Sequence, residues 1–277
     1  MEKLILLTTL ILAFLAYYYQ TQITINYRRK TLKQSSFPEE WIDFLSKYIY
    51  LYRIIPQELK QELHSHIKIF LQEKEFISYD KQPVNIETKL AIASQACLLL
   101  LGDKRQKRNY FPYLKYIYIY PNLIVQNKGE QMSAILSGQS SVGNKSGKDG
   151  VVSLSWQEVI KQSSSPHQIE NVILHEFAHQ LDQEFGTATG VPRLSNLQET
   201  LIWGEILKKE YENHYQAVQK GRITIIDPYG ATNMAEFFAV ATEAFFLKSK
   251  LLAAYHPLLY NQLSNYYGVN PIEWKPN

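Results

Sequence analysis

The chain's 277 residues carry 29 Lys and Arg against 26 Asp and Glu, a formal charge of +3. So slight a surplus excludes electrostatic capture of nucleic acid as the organising function, and no direct nucleic-acid partner is expected. With 45% hydrophobic and 20% charged residues, the composition is that of a globular protein, and the length suits one sizeable domain plus an appendage.

The appendage is N-terminal. Leu4 to Tyr19, LILLTTLILAFLAYYY, is uncharged, follows Lys3 and is succeeded by Arg28, Arg29 and Lys30. It reads as an N-terminal transmembrane helix, with Tyr17 to Tyr19 in the interfacial belt and residues 1–27 forming a single-pass membrane anchor. A cleaved signal peptide fits less well, because Ala13 and Ala16 are misspaced for a cleavage site and tyrosines follow them. Arg28, Arg29, Lys30 and Lys33 outweigh Lys3, so the positive-inside rule places the main domain in the cytoplasm. Residues 28–40 are read as a linker and 41–277 as that domain.

Trp41, Phe44, Leu45, Tyr48, Leu51 and Tyr52 recur at helical spacing, as do Leu59, Leu63, Ile67 and Phe70 after Pro56. His64 and His66, two apart, do not share a helical face and are expected at the surface. Phe76 to Val84 suggests a turn or short strand, and Glu87 to Leu101 an apolar helix stopped by Gly102. The single cysteine, Cys97, lies in that helix, reads as a small buried hydrophobe and allows no intramolecular disulfide, which fits a reducing compartment. Residues 103–109 form a basic, solvated loop. Leu114 to Val125 alternates like a strand, Ser137 to Gly150 is a Gly/Ser loop, and Val151 to Trp156 is a further strand.

Next comes Asn171 to Asp182, NVILHEFAHQLD. Side chains four apart lie on one helical face, so His175 and His179 converge on one ion with Glu176 beside it. This HExxH spacing is the zinc-hydrolase pattern, two imidazole ligands and a carboxylate that takes a proton from water, and it implies one Zn²⁺ per chain. A plain core helix is the poorer reading, since a glutamate between two histidines on an apolar helix is costly to bury without a cation. In a metallopeptidase the strand at the cleft's rim commonly pairs with an extended substrate; Val151 to Trp156 reads equally as that strand or as an ordinary edge strand.

A catalytic zinc needs a third protein ligand. The metzincin arrangement is excluded, because Asp182 and Phe185 occupy the places of its glycine and histidine. Beyond a loop at 187–192, helices are expected over 197–215 and 235–248, with a strand or turn at 223–227. Glu199 and Glu236 are both candidates. Glu236 also stands at capping-box distance from Asn233, so it has an innocent reading as a helix start.

HEFAHQLD, the LSW at Leu154 to Trp156, GVPRL at Gly190 to Leu194 and YGATNMAEFFAVATEAFF at Tyr229 to Phe246 together resemble the Mlc titration factor A family of zinc peptidases. The likeness extends upstream through AIASQACLLLL and YIYIYPN to about Trp41. It implies an α+β fold of gluzincin type, a mostly helical zincin-like domain with a small sheet, and His175, His179 and Glu236 as zinc ligands. It also implies Glu176 as general base and Tyr229 as a donor to the transition state, with Glu243 or Asp182 holding a ligand histidine by its other nitrogen. The substrate would be a peptide or protein, cleaved in aminopeptidase-like fashion. The alternative partner is a transcriptional regulator sequestered by a membrane-tethered binding protein. The chain departs from the family's pattern around Gln183 to Thr189, which bears on the substrate-facing loop.

Overall fold

The computed structural model describes residues 1–79, 81–102, 110–121, 124–126, 134–136, 138–141, 149–165, 167–192, 194 and 196–275. Helix α1 (Glu2–Gln34) is followed by α2 (Glu39–Tyr48), α3 (Tyr50–Ile54), α4 (Gln57–Glu73), strand β1 (Glu75–Ser78) and α5 (Ile86–Leu98). Strands β2 (Leu114–Tyr120), β3 (Ile124–Gln126), β4 (Ala134–Leu136), β5 (Gly138–Ser141) and β6 (Gly150–Ser155) come next. Then follow α6 (Trp156–Ser163), α7 (Val172–Asp182), α8 (Leu197–Gln219), α9 (Met234–Leu247), α10 (Ser249–Tyr255) and α11 (Pro257–Tyr267). Local chemistry starts many of these helices. The side chains of Asn85, Ser155, Asn171, Asn196 and Asn233 each accept a backbone N–H from the first turn of the helix that follows, which satisfies donors that the helix itself cannot.

The main sheet runs β1-β2-β6-β5. β1/β2 and β2/β6 are parallel and β5/β6 is antiparallel, with Ile117 opposite Val152 and Ile119 opposite Leu154. The parallel β1/β2 pair is joined through α5, since parallel neighbours require a crossover. Ile117, Ile119, Val152 and Leu154 are buried against the helices, while Tyr116, Tyr118 and Tyr120 alternate onto the other, half-buried face. Helix α7 packs against β5 and β6, α5, α6 and α9, so it is held from several directions at once. Its Phe177 is fully buried, with ring centroids 4.9 Å from Phe111 and 5.7 Å from Phe70.

The expected transmembrane helix is not there: among the described residues, no helix is long and apolar enough to cross a membrane. Helix α1 is long, but its apolar character is not sustained. Thr8 and Thr9 interrupt it, and Tyr17 to Tyr19, Gln20, Thr21 and Gln22 follow. The run Ile5 to Ala16 reaches about 18 Å at 1.5 Å per residue, against a hydrocarbon core of about 30 Å. The single-pass anchor, the membrane partner and the cytoplasmic placement fall together, because flanking charges have no span to orient. The far end of α1 docks on the body instead. Arg29 pairs with Glu73 through two bonds of 2.6 and 2.9 Å and lies over the Tyr110 ring at 4.8 Å.

Smaller corrections follow from packing. His64 and His66 are both partly buried: His64 stacks on Phe37 at 3.9 Å and meets the Tyr52 hydroxyl at 2.8 Å, while His66 meets the Tyr110 hydroxyl at 2.9 Å. The strand expected at the cleft's rim, β6, is interior to the sheet, and the edge is β5, from a stretch expected to be loop. The basic run 103–109 lies outside the described residues.

Candidate metal centre

The cluster is built on two helices. Asn171 opens α7 with its side chain accepting from the backbone of Ile173 at 3.1 Å and Leu174 at 3.0 Å, and one turn later His175 and His179 share a face. Opposite them α9 begins with Asn233, whose side chain accepts from Glu236 N at 3.0 Å. The capping reading of Glu236 therefore holds for its backbone alone, because its carboxylate turns to the histidines.

Glu236 Oε2 lies 3.0 Å from His175 Nε2 and 3.2 Å from His179 Nε2, and the two imidazole nitrogens are 3.2 Å apart. Ligands at 2.0–2.1 Å from a tetrahedral zinc are separated by about 3.3 Å. The triangle thus fits such an ion with little adjustment. Among the described residues, these three form the group able to hold a metal, and Glu199, in the first turn of α8, is not part of it. The three side chains are 10–19% exposed, shielded but not sealed off.

The electrostatics are those of a cation cradle. Burial pulls the His175 imidazole down, but its bonds to Glu236 and Glu243 outweigh that and hold it well above the usual range. Burial likewise opposes the charge on Glu236, yet the bonds to His175 and His179 hold its carboxyl down to about 2. Glu176, 6% exposed, is pushed up to about 7 by burial, with Glu236 and Glu243 adding and the two histidines opposing. Three carboxylates, Glu176, Glu236 and Glu243, thus surround His175 in one small volume.

Around this core, Tyr229 stands on a 3₁₀ turn, Pro228–Ala231, entered through Asp227, whose side chain accepts from Tyr229 N at 2.8 Å. The Tyr229 ring is 6.1 Å from that of His175, centroid to centroid, and is 51% exposed at the rim. Of the two carboxylates expected to support a ligand, Glu243 does so, accepting from His175 Nδ1 at 2.8 Å. Asp182 does not. Its Oδ2 accepts from Gly190 N at 2.8 Å and anchors the loop after α7, and the buried His179 Nδ1 has no hydrogen-bond partner among the described residues. On the sheet side, Gln180 Nε2 donates to Ser140 Oγ of β5 at 2.6 Å, which sets the edge strand beside α7.

Three further polar residues escaped the reading of the sequence. Asn171 Nδ2 donates to Gln95 Oε1 at 2.6 Å, Gln95 Nε2 to Ser163 Oγ at 2.8 Å and Val172 N to Gln162 Oε1 at 2.6 Å. All are buried. The available signal was Gln95 itself, a polar residue inside AIASQACLLLL that had to find a buried partner.

Fold and cluster together define the class: a helix-rich protein with a small mixed sheet and a two-histidine, one-glutamate site suited to a metallopeptidase. Residues 24–268 match the family described as glucose-regulated metallo-peptidase M90, and the chain belongs to that family. It is 33% identical over 267 residues to the uncharacterized protein slr2042 of Synechocystis, covering 95% of this chain and 96% of that one. It is 28% identical over 218 residues to Mlc titration factor A of Yersinia pestis, covering 77% and 78%, and matches the protein of that name from Yersinia pseudotuberculosis to the same extent. Membership of a metallopeptidase family implies a bound metal, in agreement with the donor set.

Proposed function

We propose that the chain is a zinc-dependent metallopeptidase of gluzincin type that hydrolyses peptide bonds with Glu176 as general base. The observation that carries this is the triangle of His175, His179 and Glu236 donor atoms at 3.0–3.2 Å with a buried carboxyl on the residue next to His175. Nitrogen and oxygen donors in a tetrahedral frame with one side open favour zinc in a catalytic setting, because a structural site closes with a fourth protein ligand.

Zinc, when bound, supplies Lewis-acid polarisation of a water and of the peptide carbonyl. The remaining work falls to side chains of this protein. His175 and His179 through Nε2 and Glu236 through Oε2 hold the ion. Glu176 accepts the proton released as water adds to the carbonyl and passes it to the departing amine nitrogen. Tyr229 donates its hydroxyl hydrogen bond to the developing oxyanion. Strand β5, at the end of the sheet order, offers backbone N–H and C=O groups to an extended peptide.

The test is hydrolysis of a mixed peptide library by the purified chain with bound zinc quantified, beside Glu176→Gln. A loss of about 10²- to 10⁴-fold in turnover with zinc retained is expected of a missing general base; ordinary turnover in that variant would sink the mechanism. The products also reveal whether N-terminal residues are released, the aminopeptidase-like action implied by the resemblance. The relatives named Mlc titration factor A suggest a second reading, capture of a transcriptional regulator. Capture needs no proton acceptor beside the metal, so a zinc-loaded wild type without hydrolysis would favour it.

A further inference from the structure

We propose that His214 is a positioning residue that sets, through the backbone of Asp227, the turn presenting Tyr229 at the rim of the metal site. His214 stands on α8, a helix that supplies none of the three candidate ligands, and is buried at 3% exposure. Its Nε2 donates to the Asp227 carbonyl oxygen at 3.0 Å. Burial, with His256 adding to it, holds the imidazole below its usual range against the pull of Asp227, so the ring is neutral near pH 7. A neutral ring beside a carbonyl carries its one proton on the nitrogen that faces the oxygen.

Asp227 is where the turn is fixed. Its carbonyl oxygen accepts from His214 and, at 3.0 Å, from Gly230 N, while its side chain accepts from Tyr229 N at 2.8 Å. A carbonyl has two lone pairs, and here a turn-closing bond and an imidazole from another helix take one each. At the far end of the turn, the hydroxyl of Tyr211, three residues before His214 on α8, donates to Ala231 O at 3.4 Å. The turn has no room to settle elsewhere, because a Cβ on Gly230 would stand 2.6 Å from Val240 Cγ2 of α9 and 3.3 Å from His214 Nε2. Tyr229 itself is half-exposed. A ring half in solvent takes its place from the backbone beneath it, so through His214 and Asp227 helix α8 bears on where the Tyr229 hydroxyl lies.

The proposal rests on the role proposed for Tyr229, so its test is read both with and without peptide hydrolysis. The full chain is compared with His214→Phe, which keeps a ring but loses the donor, and with His214→Gln, whose side-chain amide can still donate to the carbonyl. His214→Phe is also made in a Tyr229→Phe background. Expected for His214→Phe alone is a fall in kcat of about tenfold with KM within about twofold, the pattern of a displaced transition-state donor. His214→Gln is expected to recover most of that loss. In the Tyr229→Phe background His214→Phe is expected to cost less than about twofold in kcat, because both changes then remove one interaction. Without substrate, the Tyr229 and Gly230 amides are expected to exchange about tenfold faster in His214→Phe, while zinc affinity by chelator competition stays within about threefold.

An unchanged kcat in His214→Phe would overturn the proposal. So would an equal fall in the Tyr229→Phe background, since the effect would then bypass Tyr229. A loss of zinc affinity beyond about threefold would do the same by making the change one of general loosening. If His214→Phe does not fold, His214→Leu, with a smaller side chain and no donor, decides by the same criteria. A wild type that binds zinc and cleaves no peptide refutes the peptidase reading alone. The exchange rates then decide: faster Tyr229 and Gly230 exchange supports His214 as the holder of the turn, and unchanged rates overturn it.

Discussion

Tyr229, the proposed donor to the oxyanion, stands half-exposed beside His175. Burial, together with Glu236 and Glu176, raises its phenol above the ordinary range, so the hydroxyl stays protonated and acts as a donor. Tyr229→Phe is accordingly expected to lower kcat by about 10- to 100-fold with KM little changed, the pattern of a bond made only in the transition state. Equal kcat in the variant would return Tyr229 to packing. A second residue reports on stability. Burial in the Phe37 and Tyr52 pocket, then the charges of Lys68 and Lys60, hold the His64 imidazole down to about 4. Below the unfolded-state value near 6.5, the unfolded chain takes up a proton that the folded chain refuses. Stability from this residue is therefore full above about pH 6.5 and falls as the pH drops toward 4. Urea midpoints between pH 7 and 4.5 should decline more steeply in the wild type than in His64→Gln; identical slopes would contradict the assignment.

Among the elements, α7 shows how a locally encoded piece becomes exact only through its neighbours. The spacing of His175 and His179 follows from 3.6 residues per turn and was readable along the chain; the Asn171 cap was not singled out there. The third candidate ligand was not fixed by residue chemistry, and only the family resemblance pointed to Glu236. Glu199 and Glu236 wear the same local dress: each has an asparagine three residues earlier whose side chain accepts its backbone N–H, at 2.9 and 3.0 Å. Beyond that resemblance, the packing of α9 against α7 separates them. The connection after α5 offers a stability test of comparable closeness. Gly102 and Gly268 have φ of 65° and 69°, and a Cβ on Gly102 would sit 2.2 Å from the Gly268 carbonyl oxygen. Backbone cannot swing aside as a side chain would, so Gly102→Ala is expected to cost more than about 2 kcal/mol in denaturant unfolding. A change below about 0.5 kcal/mol would mean that the α5 end and the C-terminal region are free to part.

For the molecule as a whole, a bound ion that holds α7 to α9 must stabilise the fold by mass action. At zinc one hundred times its dissociation constant the gain is about 2.7 kcal/mol, so chelation should lower the thermal midpoint by several degrees and added zinc should restore it. A midpoint indifferent to chelator would argue against the metal reading at any level of activity. The sequence by itself determined what depends on near neighbours: the helical face that carries His175, Glu176 and His179, the capping spacing of Asn233 and Glu236, and apolar helices around them. It misjudged features whose meaning depends on distant partners. The N-terminal run looked like a membrane span until its sustained apolar length was set against a bilayer, and β6 looked like a rim until β5 was found beyond it. The buried places of His64 and Gln95 were equally hidden. Tertiary structure decided these because a strand becomes interior, and a carboxylate becomes a ligand or a cap, only when some other part of the chain arrives beside it.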